Sequence, residues 1–198
     1  MREEFCLVKW VGATVLGGSR ASMKLESIRL EAGYGVAGDK HHALTLPLDA
    51  RLETMFREFG ALKHSTQLFN WRQASVVSVA DISAIQSALE LSECFPYGLL
   101  SENIVVDYPH EWFSQLPPGS ILVFTNGRKQ MTSALLVTSE NHPCGYPGKT
   151  IADHFGQPEL ASKFVAAAKG RRGLVAIVLC PGVVKPGQRM YVRPLETS

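Results

Sequence analysis

Short apolar runs separated by turn residues recur along most of this chain, and this spacing limits the folds that the chain can adopt. In the C-terminal part, Pro181-Gly182 and Pro186-Gly187 each interrupt a β-branched run, and Asn126-Gly127 is a typical hairpin turn. Many short strands joined by Pro and Gly turns predict a mainly β fold with a few helices, arranged as a closed or nearly closed β-barrel. The predicted strands are Phe5–Leu16, Lys24–Glu31, Ala74–Val79, Ile104–Asp107, Ile121–Phe124, Ala134–Thr138, Leu174–Cys180, Val183–Lys185 and Arg189–Arg193.

Three segments have the apolar spacing of helices. Leu48–Phe59 carries a Met and Phe stripe, typical of a core-facing helix. Asp81 is predicted to cap a second helix that runs through Leu91, and Pro158–Lys169 is the third. The residues predicted to face inward are Ile82, Ile85 and Leu89 in the second helix and Leu160, Phe164 and Val165 in the third.

Length and composition exclude several classes of protein. The 198 residues, without repeats or a linker, predict a single domain over residues 1–198. A net charge of +2 without a basic block argues against a nucleic-acid partner. No leader is recognisable, and no run approaches the roughly 18 apolar residues of a membrane span, so no membrane partner is expected. The four cysteines (Cys6, Cys94, Cys144 and Cys180) form no CxxC pair, which argues against a closed zinc site and indicates a reducing cytoplasm. The cysteine spacing is also compatible with one or two disulfide bonds.

The segment from Leu135 to Lys149 is the strongest candidate for the working end of the chain. A predicted strand ends shortly before His142, and Pro143 favours extended geometry there, so that Cys144 would lie at the mouth of a sheet. Gly145, Pro147 and Gly148 are expected to keep the next residues out of helix or strand, with the Lys149 cation nearby. Cationic surroundings favour a thiolate, which is both a nucleophile and a soft-metal ligand. The alternative is an ordinary cysteine packed as a small hydrophobe.

Two glycine-rich loops carry further polar groups. The first, Gly33 to His42, has three glycines in six residues and ends in Asp39, Lys40 and two histidines, so it could approach a ligand closely or be a solvated turn. The second is Gly170-Arg171-Arg172-Gly173, an anion site or a solvent-facing loop. Arg72, before a predicted strand, could also clamp an anion, because the planar guanidinium suits phosphate or carboxylate.

Five motifs occur in an order that resembles MOSC-domain proteins, the family named after the C-terminal domain of molybdenum cofactor sulfurases. They are Gly35–His41, Arg72-Gln73, Gly98–Asn103, Pro143-Cys144 and Gly170–Gly173 followed by a strand and a Pro-Gly turn. The resemblance covers roughly residues 20 to 193 and is to the stand-alone bacterial type. Gln188 stands where the family frequently has an aspartate, a difference confined to a turn.

The resemblance implies a closed β-barrel of the pyruvate-kinase β-barrel type, with a loop-lined pocket for the molybdenum cofactor (molybdopterin). Cys144 would be the catalytic residue, as a molybdenum ligand or as a carrier of activated sulfur. Pyridoxal phosphate, used by the fused sulfurases, would need another domain that this chain does not contain. The implied cofactor-binding residues are Asp39, Lys40, His41, Arg72, Glu102, Asn103, Lys149, Arg171 and Arg172.

Three functions from different classes remain open at this stage. The first is a molybdenum-cofactor-binding or sulfur-carrier domain that acts through Cys144 with a sulfur donor. The second is a molybdenum-dependent reductase of N-hydroxylated compounds; the chain has no ferredoxin-like cysteine cluster, so an electron-transfer partner would be needed. The third is a non-catalytic small-molecule-binding barrel in which Cys144 is inert. The sequence therefore leaves open whether the protein is an enzyme, either a transferase-like sulfur carrier or an oxidoreductase.

Overall fold

The computed structural model describes residues 5–47 and 66–194, which form a β-barrel with helices on its outside. The helices are α1 (Val79–Ala88), α2 (Gly145–Phe155) and α3 (Leu160–Ala167), with a short 3-10 helix at Phe113–Gln115. The strands are β1 (Cys6–Ala13), β2 (Met23–Lys24), β3 (Ile28–Glu31), β4 (Gly35–Val36), β5 (Thr45–Pro47), β6 (Gln67–Phe69), β7 (Ala74–Ser78), β8 (Ile104–Val106), β9 (Ile121–Thr125), β10 (Met131–Glu140), β11 (Leu174–Cys180), β12 (Gly182–Val184) and β13 (Arg189–Arg193).

Seven strands close the barrel, in the order β1-β13-β9-β10-β11-β7-β8 and back to β1. The β7–β8 pair is parallel and the other six pairs are antiparallel. The closing pair sets Cys6 opposite Met190, so the two ends of the described chain meet in one seam. The predicted fold class, a mainly β chain closed into a barrel, is confirmed.

Two hydrophobic cores lie on opposite sides of the barrel wall. Val76 and Ile104 point into the barrel interior with the other members of the first core, whereas Val77 and Val105 pack outward against the helices. This alternation follows from the two-residue period of a strand, which sends neighbouring side chains to opposite faces. Because both faces of β7 and β8 are covered, β8 consists of apolar residues alone, and β7 carries only two small polar residues, Ser75 and Ser78, beside its apolar ones.

The helix α1 begins one turn earlier than its sequence suggests. Ser78 is the N-cap, and its hydroxyl accepts a hydrogen bond from the Asp81 backbone N–H at 3.0 Å, so the prediction of Asp81 as the cap was wrong. Asp81 is buried within the first turn, where its carboxylate accepts a hydrogen bond from the Ser114 hydroxyl at 2.8 Å. The inward face was predicted correctly, since Ile82, Ile85 and Leu89 are all buried.

The helix α3 buries a row of residues spaced by four: Leu160, Phe164 and Ala168. Val165 follows Phe164 by one residue and is therefore rotated about 100° away from that row. It is 43 % exposed, so the prediction that it faces inward was wrong. The helix α2 packs against this row of α3 side chains in the second core.

The smaller strands hold the loops near one side of the barrel. The predicted strand Lys24–Glu31 is divided into β2 and β3, and β3 lies between β4 and β12 in a three-stranded sheet. The strands β5 and β6 form a separate antiparallel pair. The predicted helix Leu48–Phe59 lies outside the described residues. Among the helices that are described, none is long and apolar enough to cross a membrane.

Candidate functional site

A cleft of about 1030 Å³ lies between the barrel wall at β7 and β11, the loop after β4, and the helices α2 and α3. Five Lys and Arg side chains line it, and the described lining residues include no Asp or Glu. We call it the cationic cleft; its cations are Arg20, Lys40, Arg72, Lys169 and Arg172. Polar residues on the same wall are Ser75, Ser101, Asn103, Asn141, His41 and His142, with Cys144 and Tyr146 at α2.

Cys144 is an exposed free cysteine on the wall of the cationic cleft. It is the N-cap residue of α2, with extended backbone (φ −135°, ψ 169°), and its side chain makes no capping hydrogen bond. The sulfur is therefore available to a ligand, next to the positive end of the helix dipole. The prediction that Gly145, Pro147 and Gly148 keep this stretch out of a helix was wrong. A proline in the first helical turn is tolerated because its missing N–H would have no partner there.

Gly148 explains why a glycine-rich stretch can be helical here. A Cβ at this position would lie 2.9 Å from the Ala161 carbonyl oxygen and 2.9 Å from the Phe164 Cβ. Glycine thus lets α2 approach α3 closely, and this packing fixes the direction of the first turn of α2. The position of Cys144 depends on that contact.

Asp39 braces the loop that carries Lys40 and His41. It is buried, and its carboxylate accepts hydrogen bonds from the Thr14 N–H at 2.9 Å, the Asn103 amide at 3.0 Å and the His41 N–H at 2.9 Å. The His41 Nδ1 lies 3.3 Å from the same carboxylate. Burial alone would raise the pKa of Asp39, but the hydrogen bonds from His41 and Thr14, with the charge of His41, hold it below its ordinary value.

Asn103 ties three elements together at the floor of the cleft. Its side-chain oxygen accepts hydrogen bonds from the Ser75 N–H and hydroxyl at 3.0 and 3.1 Å, and its amide nitrogen donates to the Gly12 carbonyl oxygen at 3.3 Å as well as to Asp39. Asn103 therefore lines the cleft mainly as a structural bridge between β1, β7 and the Asp39 loop. Glu102 lies behind the wall, buried, and accepts a hydrogen bond from the Gly98 N–H.

Arg172 is the buried cation of the cleft wall. It is only 6 % exposed; its Nη2 donates to the Leu100 carbonyl oxygen, while its Nε and Nη1 have no hydrogen-bond partner among the described residues. Burial lowers the pKa of Arg172 to about 10, against the opposing charge of Glu102, so the guanidinium is charged at neutral pH. Gly173, next in sequence, has φ +79° and donates its N–H to the Ser114 hydroxyl at 2.8 Å, which fixes the turn that presents Arg172.

Lys40 and Arg72 complete a group of cations around the thiol. Burial lowers the pKa of Lys40, and the charges of Arg172 and Arg72 act in the same direction, while those of Asp39 and Cys144 oppose them. Lys40 is thus close enough to Cys144 and to both arginines for their charges to act on it. Of the two lysines considered as partners of the cysteine, the structure brings Lys40 and not Lys149 into the cleft wall.

The structure places two of the sequence-predicted residues away from the cleft. Lys149 is exposed on α2, and Arg171 is exposed with its charge acting on Asp81. Asp39 and Glu102 stand behind the wall, whereas Lys40, His41, Arg72, Asn103, Cys144 and Arg172 line it.

Sequence reasoning missed Arg20, Lys169 and Tyr146, which also line the cleft. The Arg20 guanidinium lies over the Tyr146 ring, 5.5 Å from its centroid, and joins the loop after β1 to α2. Arg20 follows Gly17-Gly18-Ser19, a turn-like run after the predicted strand Phe5–Leu16, and Lys169 ends the third predicted helix. Neither position was distinguishable from a solvated surface cation.

The chemistry of the wall can be tested against the molybdenum cofactor that the resemblance implies. Among the described residues, no cluster of three or more His, Cys, Asp or Glu side chains could hold a metal ion. A metal here would have to bring most of its own ligands, with Cys144 as a thiolate ligand from the wall. The unpartnered Arg172 nitrogens and the other cations suit an anionic group, and the cleft volume suits a pterin-sized one. The residues fit such a cofactor.

Comparison with known proteins places the chain in a family. Residues 63–191 match the sequence profile of the MOSC domain. YuaD of Bacillus subtilis (strain 168), whose name connects it with metal-sulfur cluster biosynthesis, is 36 % identical over 170 residues, covering 85 % of this chain and 81 % of that protein.

Solved structures show the same fold. The crystal structure of YuaD from Bacillus subtilis superposes with a TM-score of 0.84 at 29 % sequence identity, covering 98 % of this chain and 99 % of that chain. YiiM from Escherichia coli, at 15 % identity and a TM-score of 0.54 over 98 % of this chain and 72 % of that one, shares the fold alone. The family profile and the similarity to YuaD agree with the motif order seen in the sequence, and the chain belongs to the MOSC domain family.

Proposed function

We propose that this domain carries activated sulfur on Cys144 and serves a molybdenum-cofactor-type metal–sulfur centre bound in the cationic cleft. The observation that carries the proposal is the position of the thiol: Cys144 is exposed, uncommitted to any capping bond, and set on a wall with five cations. A sulfur atom bound to Cys144 would be a persulfide, whose terminal sulfur is anionic at neutral pH and would be stabilised by these charges. The name of the relative YuaD supports a sulfur cargo.

The cleft residues would divide the work of holding the cofactor. Arg172, Lys40 and Arg72 would hold its phosphate and other anionic groups, because guanidinium and ammonium groups make charge-assisted hydrogen bonds to such oxygens. Asp39 and Asn103 would keep Lys40 and the barrel floor in place through the hydrogen bonds described above. When bound, the cofactor supplies a metal centre that takes up sulfur or accepts a thiolate ligand.

Sulfur loading of Cys144 is the direct test. The reduced protein is treated briefly with a sulfane-sulfur donor, and persulfides are located by alkylation and mass spectrometry of peptides. Cys94 is the matched control within the same chain, since it is also exposed but does not line the cleft. We expect Cys144 to be loaded about tenfold faster than Cys94, because the cations favour an anionic product near Cys144. Equal loading of the two cysteines would reduce Cys144 to an ordinary surface thiol and contradict the proposal.

Metal content tests the ligand role of Cys144. The protein is purified without air from cells supplied with molybdate, and bound molybdenum and pterin fluorescence are measured for wild type, Cys144→Ser and Cys94→Ser. We expect molybdenum to be lost in Cys144→Ser and kept in Cys94→Ser, with unchanged circular dichroism in both. If Cys144→Ser binds as much molybdenum as wild type, Cys144 is not a metal ligand, and sulfur carriage is its role. If the amount of bound pterin is the same in all three proteins, the cofactor is held by the cations of the cleft alone.

A further inference from the structure

Arg172 offers two hydrogen-bond donors that the described protein does not use. Arg172 is 6 % exposed, and its Nε and Nη1 have no hydrogen-bond partner among the described residues. Burying a charged group in this way costs free energy of folding unless a ligand accepts its hydrogen bonds. Arg172 lines the cationic cleft, so an anion bound there would lie beside this buried guanidinium. The backbone of the Gly170–Gly173 turn and the bond to Leu100 hold the guanidinium in place. The site is therefore built for an oxyanion before any ligand arrives.

The same site lies next to the thiol. Cys144, Arg172 and Lys40 all line the cationic cleft, and the charge of Cys144 acts on both cations, so the three side chains border one shared volume. A ligand that fills this volume presents its anionic oxygens to Arg172 and Lys40 and its remaining atom to Cys144. The positive end of α2, where Cys144 is the N-cap, adds to the same attraction for negative charge.

We infer that Cys144 takes its sulfur from a small thiosulfonate-type anion, of which thiosulfate is the simplest, held by Arg172 beside the thiol. This inference rests on the proposed function, since it names the donor for the sulfur that Cys144 carries; the donor occupies Arg172 and Lys40 first, and the cofactor takes its place after sulfite has left. In thiosulfate the transferable sulfur is bonded directly to a sulfonate group, whose three oxygens share negative charge. That compact shape matches a thiol and an arginine that border the same volume. A neutral sulfur donor would leave the Arg172 donors unpartnered in the bound state, at the cost of an unsatisfied buried charge.

The transfer balances without a further reactant. The Cys144 thiol gives its proton to solvent, and the thiolate attacks the outer sulfur of thiosulfate. A bond forms between the Cys144 Sγ and that sulfur, the sulfur–sulfur bond of thiosulfate breaks, and the bonding electron pair leaves on sulfite. The products are one persulfide on Cys144 and one sulfite ion. Arg172 and Lys40 hold the sulfonate oxygens, which carry the leaving charge, throughout the step.

A single-turnover assay tests the inference. Reduced protein is mixed with thiosulfate, and the sulfite released and the persulfide on the Cys144 peptide are measured over time. A neutral organic trisulfide at equal concentration is the comparison donor; it loads the cysteine as a mixed trisulfide with release of one thiolate, and that adduct is counted on the same peptide. We expect sulfite and persulfide in a 1:1 ratio, saturation with thiosulfate concentration, competition by sulfate, and loss of the saturable reaction in Cys144→Ser, where only slow loading of the exposed Cys94 is left. If the trisulfide loads Cys144 and thiosulfate does not, the donor inference is overturned and the sulfur-carrier proposal stands. If neither donor loads Cys144, both are overturned.

Two neighbouring arginines provide a matched pair of variants. Arg172→Gln removes the buried donors, whereas Arg171→Gln removes an exposed arginine outside the cleft with the same change in charge. We expect the thiosulfate reaction to fall about 10- to 100-fold in Arg172→Gln, as for loss of a hydrogen bond to a charged group, and to change less than about twofold in Arg171→Gln. Equal rates in the two variants would overturn the assignment of Arg172.

Folding is controlled separately, since Arg172 is buried. Arg172→Lys keeps the charge, and loading by the neutral trisulfide reports an intact Cys144 in each variant. Thiosulfate binding without chemistry is measured by calorimetry in Cys144→Ser and in Cys144→Ser combined with Lys40→Gln, which removes the half-buried cation assigned to the sulfonate. We expect weaker binding in the combined variant; binding of thiosulfate that neither sulfate nor the loss of the Lys40 charge affects would place it outside the cationic cleft and overturn the inference.

Discussion

Asp39 acts on the cleft from behind its wall. Its two carboxylate oxygens accept four contacts, from Thr14, Asn103, and the backbone and ring of His41, and the carboxylate does not line the cleft itself. Those contacts connect the loop after β4 to β1 and to the residue before β8. Lys40, next in sequence, is placed in the wall as a consequence, and its own backbone N–H donates to the Thr14 carbonyl oxygen at 2.7 Å. Asp39 thus positions Lys40 and His41 through hydrogen bonds that need two acceptor oxygens, and among the side chains of this size only a carboxylate provides both.

Asp39→Asn is expected to lower the free energy of unfolding by about 1–3 kcal/mol at pH 7, because the amide keeps one acceptor oxygen and turns its NH₂ toward a donor. The pKa of Asp39 is lower in the folded protein than in the unfolded chain, where it is about 3.9. Its contribution to stability is therefore fully present above that value and is lost as the pH falls through the lower folded value. The difference between wild type and Asp39→Asn should narrow from pH 5 to pH 3.

Urea denaturation at a series of pH values measures this difference. Asp153→Asn is the control, since Asp153 is exposed on α2 and its substitution should change stability by less than about 0.5 kcal/mol. A cost of Asp39→Asn that is equally large at pH 3 and pH 7 would show that the substitution acts through shape and not through the ionised carboxylate.

The sequence identified most of the residues near the site but not their separate roles. Lys40, His41, Arg72, Asn103, Cys144 and Arg172 were predicted together and do line one cleft. Asp39 and Glu102 were predicted from the same motifs but lie behind the wall of the cleft. A motif gives the position of a residue in the sequence and not the direction of its side chain. Arg20 and Lys169 could not be predicted, since a cation becomes part of a site only when distant segments fold beside it.

At the scale of elements, the start of α2 decides how the thiol is presented. Its first turn reads Gly145-Tyr146-Pro147-Gly148, and both glycine and proline are poor helix formers in a helix interior. Local propensity therefore predicted a loop. Packing against α3 reverses that preference, since Ile151, Ala152, Phe164 and Leu160 are buried together in the second core. Tertiary contacts of this kind are invisible in a local window of sequence.

Gly148→Ala is expected to destabilise the protein by about 1–3 kcal/mol, because its Cβ would meet the Ala161 carbonyl oxygen and the Phe164 Cβ at 2.9 Å in a packed interface. The α2–α3 contact would have to widen, and Cys144 would move with the first turn. Thermal denaturation measures the first effect, and the rate of sulfur loading at Cys144 measures the second. We expect both the melting temperature and the loading rate to fall.

Gly145→Ala is the matched control in the same turn, since a Cβ there has no atom within 4 Å. Its stability should be unchanged or slightly increased, by up to about 1 kcal/mol, as for alanine replacing glycine at a compatible position. If Gly148→Ala is as stable as Gly145→Ala, the close approach of the two helices does not limit the position of Cys144.

At the scale of the whole molecule, the barrel joins segments that are far apart in sequence. The seam between β1 and β13 pairs Cys6 with Met190. The β7–β8 pair, separated from that seam by the β8–β1 pair, is parallel, although every other pair in the barrel is antiparallel. The spacing of strands and turns predicted a barrel, but the pairing order could not be read from it. Register depends on which buried faces meet across the interior, and this is settled only when the chain closes.

Closure of the barrel can be followed through Cys6. Its thiol is buried in the seam and donates to the Met190 carbonyl oxygen; burial, with the nearby charge of Asp107, raises the pKa of Cys6 to about 12. An alkylating reagent needs both access and a thiolate. We expect alkylation of Cys6 at pH 8 to be about a thousandfold or more slower than that of the exposed Cys94, because it requires unfolding with a free energy of several kcal/mol. Pulsed labelling with iodoacetamide followed by peptide mass spectrometry gives both rates in one sample.

The same labelling across a urea series shows whether the seam opens alone or with the rest of the barrel. If the seven strands unfold as one unit, the midpoint for Cys6 labelling coincides with the midpoint seen by circular dichroism. A Cys6 midpoint at clearly lower urea would mean that β1 and β13 separate while the other strands stay paired. Because β1 also carries Gly12, which accepts the Asn103 amide hydrogen bond at the cleft floor, such a local opening would loosen the cationic cleft at the same time. Sulfur loading of Cys144 should then fall at the urea concentration at which Cys6 becomes reactive, and a loading rate that persists beyond that point would show that the site does not depend on closure of the barrel.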